Sequence, residues 1–169
     1  LIKKKKMKKI LYLFLTVSLI FSSCKKEEGC KDSLATNYNA DADEDDGSCM
    51  YSLVGVWEWE SPATFGYSAI YSFCWSNGEY GTELYDATNT VVRMTVGTGV
   101  LSSNQTILTI NATAFNLVGV DWVEEAAQGP QVFNVTKFNS SELNINGGDN
   151  NLSLQLNKTS ISLPPAPNL

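Results

Sequence analysis

From residue 52 to residue 162 apolar and polar side chains alternate with a period of two, the mark of strands that bury one face and expose the other. Trp57 and Trp59 alternate with Glu58 and Glu60, while Tyr67, Ala69, Tyr71, Phe73 and Trp75 share one parity. The pattern returns at Val92, Met94 and Val96, at Leu108, Ile110, Ala112 and Ala114, at Leu143 and Ile145, and at Leu152, Leu154 and Leu156. Turn-forming stretches fall between these runs at Ser76-Asn77-Gly78, Ser102-Ser103-Asn104, Asn139-Ser140-Ser141 and Gly147-Gly148-Asp149-Asn150. About eight short strands without helical periodicity predict an all-β domain over residues 52–162, either an antiparallel up-and-down barrel or a sandwich, since closure hides the edges through which strands aggregate. A Pro-containing tail, residues 163–169, ends the fold.

The front of the chain follows another pattern. Lys3, Lys4, Lys5, Lys6, Lys8 and Lys9 precede an apolar run of 12 residues, Ile10 to Phe21. A membrane-spanning helix needs about 20 apolar residues, so residues 1–23 read as a cleaved signal peptide. The run closes on Phe21-Ser22-Ser23-Cys24, which resembles a bacterial lipobox. The resemblance implies lipidation of Cys24 and membrane attachment through acyl chains, each buried CH2 contributing about 0.8 kcal/mol. Lys25, Lys26, Glu27 and Glu28, in the tether 24–29, resemble the acidic surface-export signal of Bacteroidota lipoproteins. That would place the protein on the bacterial outer membrane, exposed at the surface; by composition alone the same residues read as a solvated tether.

Charge narrows the partners. The chain holds 12 basic and 18 acidic residues, and six of the lysines lie in the leader, leaving six basic side chains against 18 acids. Such a field repels phosphate backbones, and only Arg93, Lys137 and Lys158 follow residue 51, so nucleic acid is excluded as a partner. Histidine is absent, which removes histidine-dependent triads and the commonest transition-metal ligand. With Cys24 assigned to lipid, Cys30 and Cys49 are free to pair in an oxidising compartment, and Cys74 is left over.

Residues 30–51, CKDSLATNYNADADEDDGSCMY, hold too little apolar surface for a core and need a staple. A Cys30–Cys49 bridge supplies one, contributing about 3 kcal/mol by loop entropy. The segment resembles a short cysteine-bracketed repeat of secreted and surface proteins in marine and Bacteroidota bacteria, through Cys30, Asp32, Ala35, Asn37, Tyr38, Asn39, Ala42, Asp45, Asp46, Gly47, Ser48, Cys49 and Tyr51. The resemblance implies a surface context. Asp32, Asn37, Asn39, Asp41, Asp43, Asp45 and Asp46 offer hard oxygen donors, which suits a structural calcium; an acidic solvated loop built from Asx turns fits equally. The spacing is not that of an EF-hand, since Gly47 comes one residue late and Ser52 stands where glutamate is required.

The larger domain opens on Leu53-Val54-Gly55-Val56-Trp57 and closes on three strand-like stretches, 133–138, 141–145 and 152–156. In this it resembles the lipocalin-like domains of Bacteroidota lipoproteins, which implies a barrel with a cup for one small apolar ligand. Trp57, Trp59, Tyr71, Phe73, Trp75, Phe115 and Trp122 are the candidate lining; aromatics at strand parity also suit a plain core. Cys74, on the opposite parity to Phe73 and Trp75, reads as an inert small hydrophobe. Glu58, Glu60, Glu79, Glu83, Glu124 and Glu125 could supply a carboxylate pair, yet alternation sends most of them to solvent. The expectation is a non-enzymatic envelope lipoprotein binding a small apolar ligand or an envelope partner. Its alternatives are an adhesive or structural protein with a solid barrel, and a carbohydrate-active lipoprotein.

Overall fold

The computed structural model describes residues 26–117, 123–124 and 129–166. The signal peptide, Cys24 and Trp122 lie outside the described residues. The described residues divide into two compact units, one comprising those through Ser33 together with Asn37–Cys49, the other those from Met50 onward together with Leu34–Thr36.

In the first unit β1 (Glu28–Gly29) pairs in parallel with β2 (Glu44–Asp45). Cys30 is bonded to Cys49, with Cα atoms 4.7 Å apart, and Cys30 is almost fully buried. Around the bridge, the Asn39 amide donates to the Cys30 carbonyl (2.9 Å) and the Asp43 amide to that of Glu27 (2.7 Å). With Ala42 as the other buried apolar residue described there, the staple and these bonds take the place of a core.

The second unit contains β3 (Gly55–Trp59), a 3-10 turn (Pro62–Phe65), β4 (Ala69–Cys74), β5 (Glu79–Tyr85), β6 (Val91–Leu101), β7 (Ile107–Leu117), β8 (Val123–Glu124), β9 (Gln131–Phe138), β10 (Glu142–Gly147) and β11 (Leu152–Lys158). Pairing runs β6-β5-β4-β3-β11-β10-β9-β7, and β6 pairs with β7 to complete the ring. The result is a closed antiparallel barrel of eight strands, so of the two architectures open from sequence the barrel is the one formed. Apart from the short β8, which pairs with the far end of β7 at Ala114 and Phe115, strands adjacent in sequence are adjacent in the ring. The four turns expected from sequence separate β4 from β5, β6 from β7, β9 from β10 and β10 from β11. In the first of them Gly78 adopts φ 86°, a left-handed conformation that favours glycine. A fifth turn, between β5 and β6, is organised by Asp86, whose carboxylate accepts from the Thr88 and Thr90 amides at 2.8 and 3.0 Å.

One departure from regular pairing matters for the interior. Val96 faces Ala114 but Gly97 faces Ala112, so β7 carries an extra residue, Thr113. The bulge reverses parity along β7: Leu108, Ile110 and Ala112 share one face, while Ala114 turns to the other and Phe115 takes its place beside Thr95. The expectation that Ala114 continues the face of Ala112 is thereby corrected.

Candidate functional site

The barrel holds a cavity of about 280 Å3 with two unlike walls. From β7, β9, β10 and β11 come Leu108, Ile110, Phe133, Leu143, Ile145, Leu152, Leu154 and Leu156, joined by Trp57 of β3. Most of these belong to the buried core, which therefore forms one side of the cavity and leaves the other open. That other side comes from β4, β5 and β6, and presents Ser72, Cys74, Tyr80, Thr82, Leu84, Arg93 and Thr95.

The polar side chains of this second wall are bonded to one another. The Trp59 indole N–H donates to Ser72 Oγ at 2.8 Å, Ser72 Oγ lies 3.2 Å from Tyr80 Oη, and Thr82 Oγ1 donates to Tyr80 Oη at 2.5 Å. Ser72, Tyr80 and Thr82 are all buried, and burial pushes the Tyr80 phenol above its ordinary range despite its hydrogen bonds to Ser72 and Thr82. Cys74 is a free thiol in the same wall; burial raises it to about 12, against the opposing pull of the Lys158 charge. So high a value keeps it protonated and inert as a nucleophile at neutral pH. The Arg93 guanidinium sits 4.8 Å from the centre of the Phe115 ring, a cation–π contact at the edge of this wall.

The aromatic residues expected to line a cup divide into groups. Trp57 and Trp59 do line it. Phe115 does not line it, and that expectation is corrected: through the bulge it pairs with Thr95 and lies under Arg93, beside the lining residues. Tyr71, Phe73 and Trp75 do not line the cavity, and the expectation is corrected: on β4 the inward residues are Ser72 and Cys74, and the aromatic parity faces out. The outward face is nevertheless covered. The Thr159 amide donates to the Val56 carbonyl at 2.9 Å, the Trp75 indole donates to the Pro164 carbonyl at 2.7 Å, and Ile161 and Ser162 border a groove with Val56, Tyr71 and Phe73. Phe73 and Trp75 stack at 6.0 Å, and Tyr71 meets Tyr85 edge-on at 5.6 Å. The segment after β11 thus supplies an apolar cover outside the barrel, which lets an aromatic face point away from the interior. Sequence reasoning passed over the inner residues Ser72, Tyr80 and Thr82. The signal that could have found them is the same alternation on β4 and β5 read with the opposite parity.

The candidate calcium ligands are exposed or half-exposed, and among the described residues no three acidic or cysteine side chains group to hold a metal ion. The oxygens serve the backbone instead. Asn39 Oδ1 accepts from the Asp41 amide (3.0 Å), Asp45 Oδ1 from Gly47 (3.1 Å), Asp46 Oδ1 from Ser48 (2.9 Å) and Asp43 Oδ2 from Glu27 (3.1 Å). These include the Asx turns of the solvated-loop reading, and they hold the Asp46 carboxyl below its usual range, chiefly through its bond with Ser48. Asn37 spends its amide on the Ser48 carbonyl at 2.7 Å. In this arrangement the Asn and Asp side chains cap their own turns, the geometry of the solvated-loop reading.

For acid–base chemistry the relevant carboxylates are those near the cavity, and Glu58, Glu60, Glu79 and Glu83 do not line it. Glu58 instead accepts a long hydrogen bond from the Tyr71 hydroxyl on the outer face (3.4 Å), and Glu83 accepts one from Tyr85 (2.7 Å). Burial, followed by the bond to Glu83, raises the Tyr85 phenol to about 12. Compared with family models, with curated proteins and with solved structures, the chain matches none.

Proposed function

We propose that this chain is a non-enzymatic lipoprotein of the bacterial outer membrane, anchored through Cys24, whose barrel binds a small apolar ligand. The observation that carries the reading is the interior cavity of about 280 Å3, walled on one side by a continuous run of leucine, isoleucine and aromatic side chains. That size lies just below the usual span for small-molecule sites, roughly 300–1,000 Å3, and suits a compact apolar molecule. Support for the anchor comes from Phe21-Ser22-Ser23-Cys24 following a short apolar run. The disulfide-stapled first unit agrees with an oxidising compartment.

The test is native mass spectrometry of the processed protein purified from a bacterial envelope, before and after organic extraction. An extractable small molecule bound in stoichiometric amount supports the carrier reading and gives its chemical class. A protein that is empty in every preparation favours the structural or adhesive alternative. The anchor is tested separately by incorporation of labelled palmitate, which Cys24→Ser should abolish.

A further inference from the structure

We propose, on the basis of the carrier reading, that the barrel selects an apolar molecule bearing an uncharged oxygen acceptor, such as a ketone, ester or alcohol, and holds that oxygen at the cluster of Ser72, Tyr80 and Thr82. Trp59, Ser72, Tyr80 and Thr82 each bring one polar hydrogen, and they are linked in a row by three contacts: indole to serine, serine to tyrosine, threonine to tyrosine. Whichever way the hydroxyls rotate, three contacts use three hydrogens and one hydroxyl hydrogen is left over. The indole N–H is committed to Ser72, so the surplus belongs to a hydroxyl.

No second acceptor for these hydroxyls exists among the described residues' hydrogen bonds, and all four side chains line the cavity. The surplus hydrogen is therefore available to whatever occupies it. A buried donor left without an acceptor is costly, so an occupant that offers an oxygen gains over one that does not. Burial also keeps the Tyr80 phenol protonated well into the alkaline range, so the cluster does not lose its donor at ordinary pH.

Polarity of the opposite wall completes the match. The other wall supplies Leu143, Leu154 and Leu156, which take a hydrocarbon body. An anion at the cluster would be desolvated with only neutral donors for compensation, which disfavours a carboxylate there. The cation of the wall, Arg93, belongs to β6, and a ligand drawn to it would place its head group beside Phe115 instead.

The experiment uses the processed chain, stripped of bound lipid on hydrophobic resin, and three probes of matched chain length: decane, octyl methyl ketone and decanoate. Competition binding is read by native mass spectrometry. The bound ketone, carbon-13 labelled at its carbonyl, is read by infrared spectroscopy and by nuclear Overhauser contacts to the Tyr80 ring. The expected result is that the ketone binds with a carbonyl band lowered by hydrogen bonding and with methyl contacts to Tyr80. An unshifted band, or no contact between the ketone methyl and Tyr80, overturns the inference and leaves the carrier reading intact. Tighter binding of decanoate, with contacts to Phe115, also overturns it and transfers the head group to Arg93. Failure of all three probes to bind overturns the carrier reading itself.

Discussion

Trp75 donates its indole N–H to the Pro164 carbonyl at 2.7 Å, joining residues 89 positions apart in the chain on the outside of the barrel. The ring also stacks on Phe73 and covers Gly81, at which an added Cβ would lie 3.1 Å from the indole. Trp75→Ala should therefore loosen the segment 159–166, costing about 2 kcal/mol in a denaturant melt and making that segment the first site of proteolysis. Ligand uptake should be unchanged. Trp59→Ala, which removes a lining side chain and the donor to Ser72, should weaken uptake instead. Loss of uptake in the Trp75 variant with an undisturbed tail would contradict the outward placement of β4's aromatic face.

Glycine at position 97 is a matter of distance. A Cβ there would lie 2.0 Å from the Asn111 carbonyl oxygen, on the backbone of the neighbouring strand at the bulge, whereas one at Gly99 would meet the Tyr80 Cβ at 3.4 Å. Gly97→Ala should cost about 1–3 kcal/mol by forcing β6 and β7 apart, and Gly99→Ala much less. Equilibrium urea unfolding of the two variants side by side measures the difference. Equal midpoints would mean that the bulge can relax around a methyl group.

Alkaline pH should destabilise the barrel. Burial lifts the Cys74 thiol from 9.0 to about 12 and the Tyr85 phenol from 10.0 to about 12, so both are protonated in the fold under conditions that ionise them in the unfolded chain. The unfolded state then binds fewer protons, and stability falls with rising pH. The Cys74 contribution is fully present below about pH 9 and is lost as the pH climbs toward 12. Thermal melts between pH 7 and pH 12 should show Tm falling across this window, less steeply in Cys74→Ala. At pH 8 the thiol should resist a thiol-specific reagent in the native protein and react on unfolding; rapid native reaction would show that it is not shielded.

Replacing both Cys30 and Cys49 by serine should melt the first unit while leaving the second folded. The bridge spans a sequence separation of 19 and its closure contributes about 3 kcal/mol, in a unit with few buried apolar side chains to replace it. Hydrogen exchange should show the Asn39 and Asp43 amides losing protection, with those of β9, β10 and β11 unaffected. Parallel loss in both units would show that they unfold as one.

Much of the fold was legible because alternation and turn chemistry are local. The runs at 143–145 and 152–156 became β10 and β11, and the Gly147-Gly148-Asp149-Asn150 stretch became the turn between them. Pairing of Cys30 with Cys49 was legible from the need of the coreless segment between them for a staple, and it is present. The turn at Asp86 escaped because its signal is one carboxylate capping two amides, without glycine or proline. The choice between calcium and a solvated loop lay at a different level: a string of Asp and Asn residues specifies donors, but whether they converge on a cation or fold back on their own amides is a question of backbone geometry.

Sequence by itself determined that the larger unit is all-β, roughly where its strands and turns lie, and that a cysteine staple closes the smaller one, since each depends on residues close along the chain or on simple counting. Only the tertiary structure decided which parity faces in. A period of two says that a strand has two unlike faces without saying which is covered. On β4 the answer depends on residues about ninety positions away: the segment around Ile161 and Pro164 covers the aromatic face from outside, and the interior receives Ser72 and Cys74. On β7 a single extra residue, Thr113, reversed the faces halfway along the strand, because its partner β6 approaches closely at Gly97, where there is no Cβ.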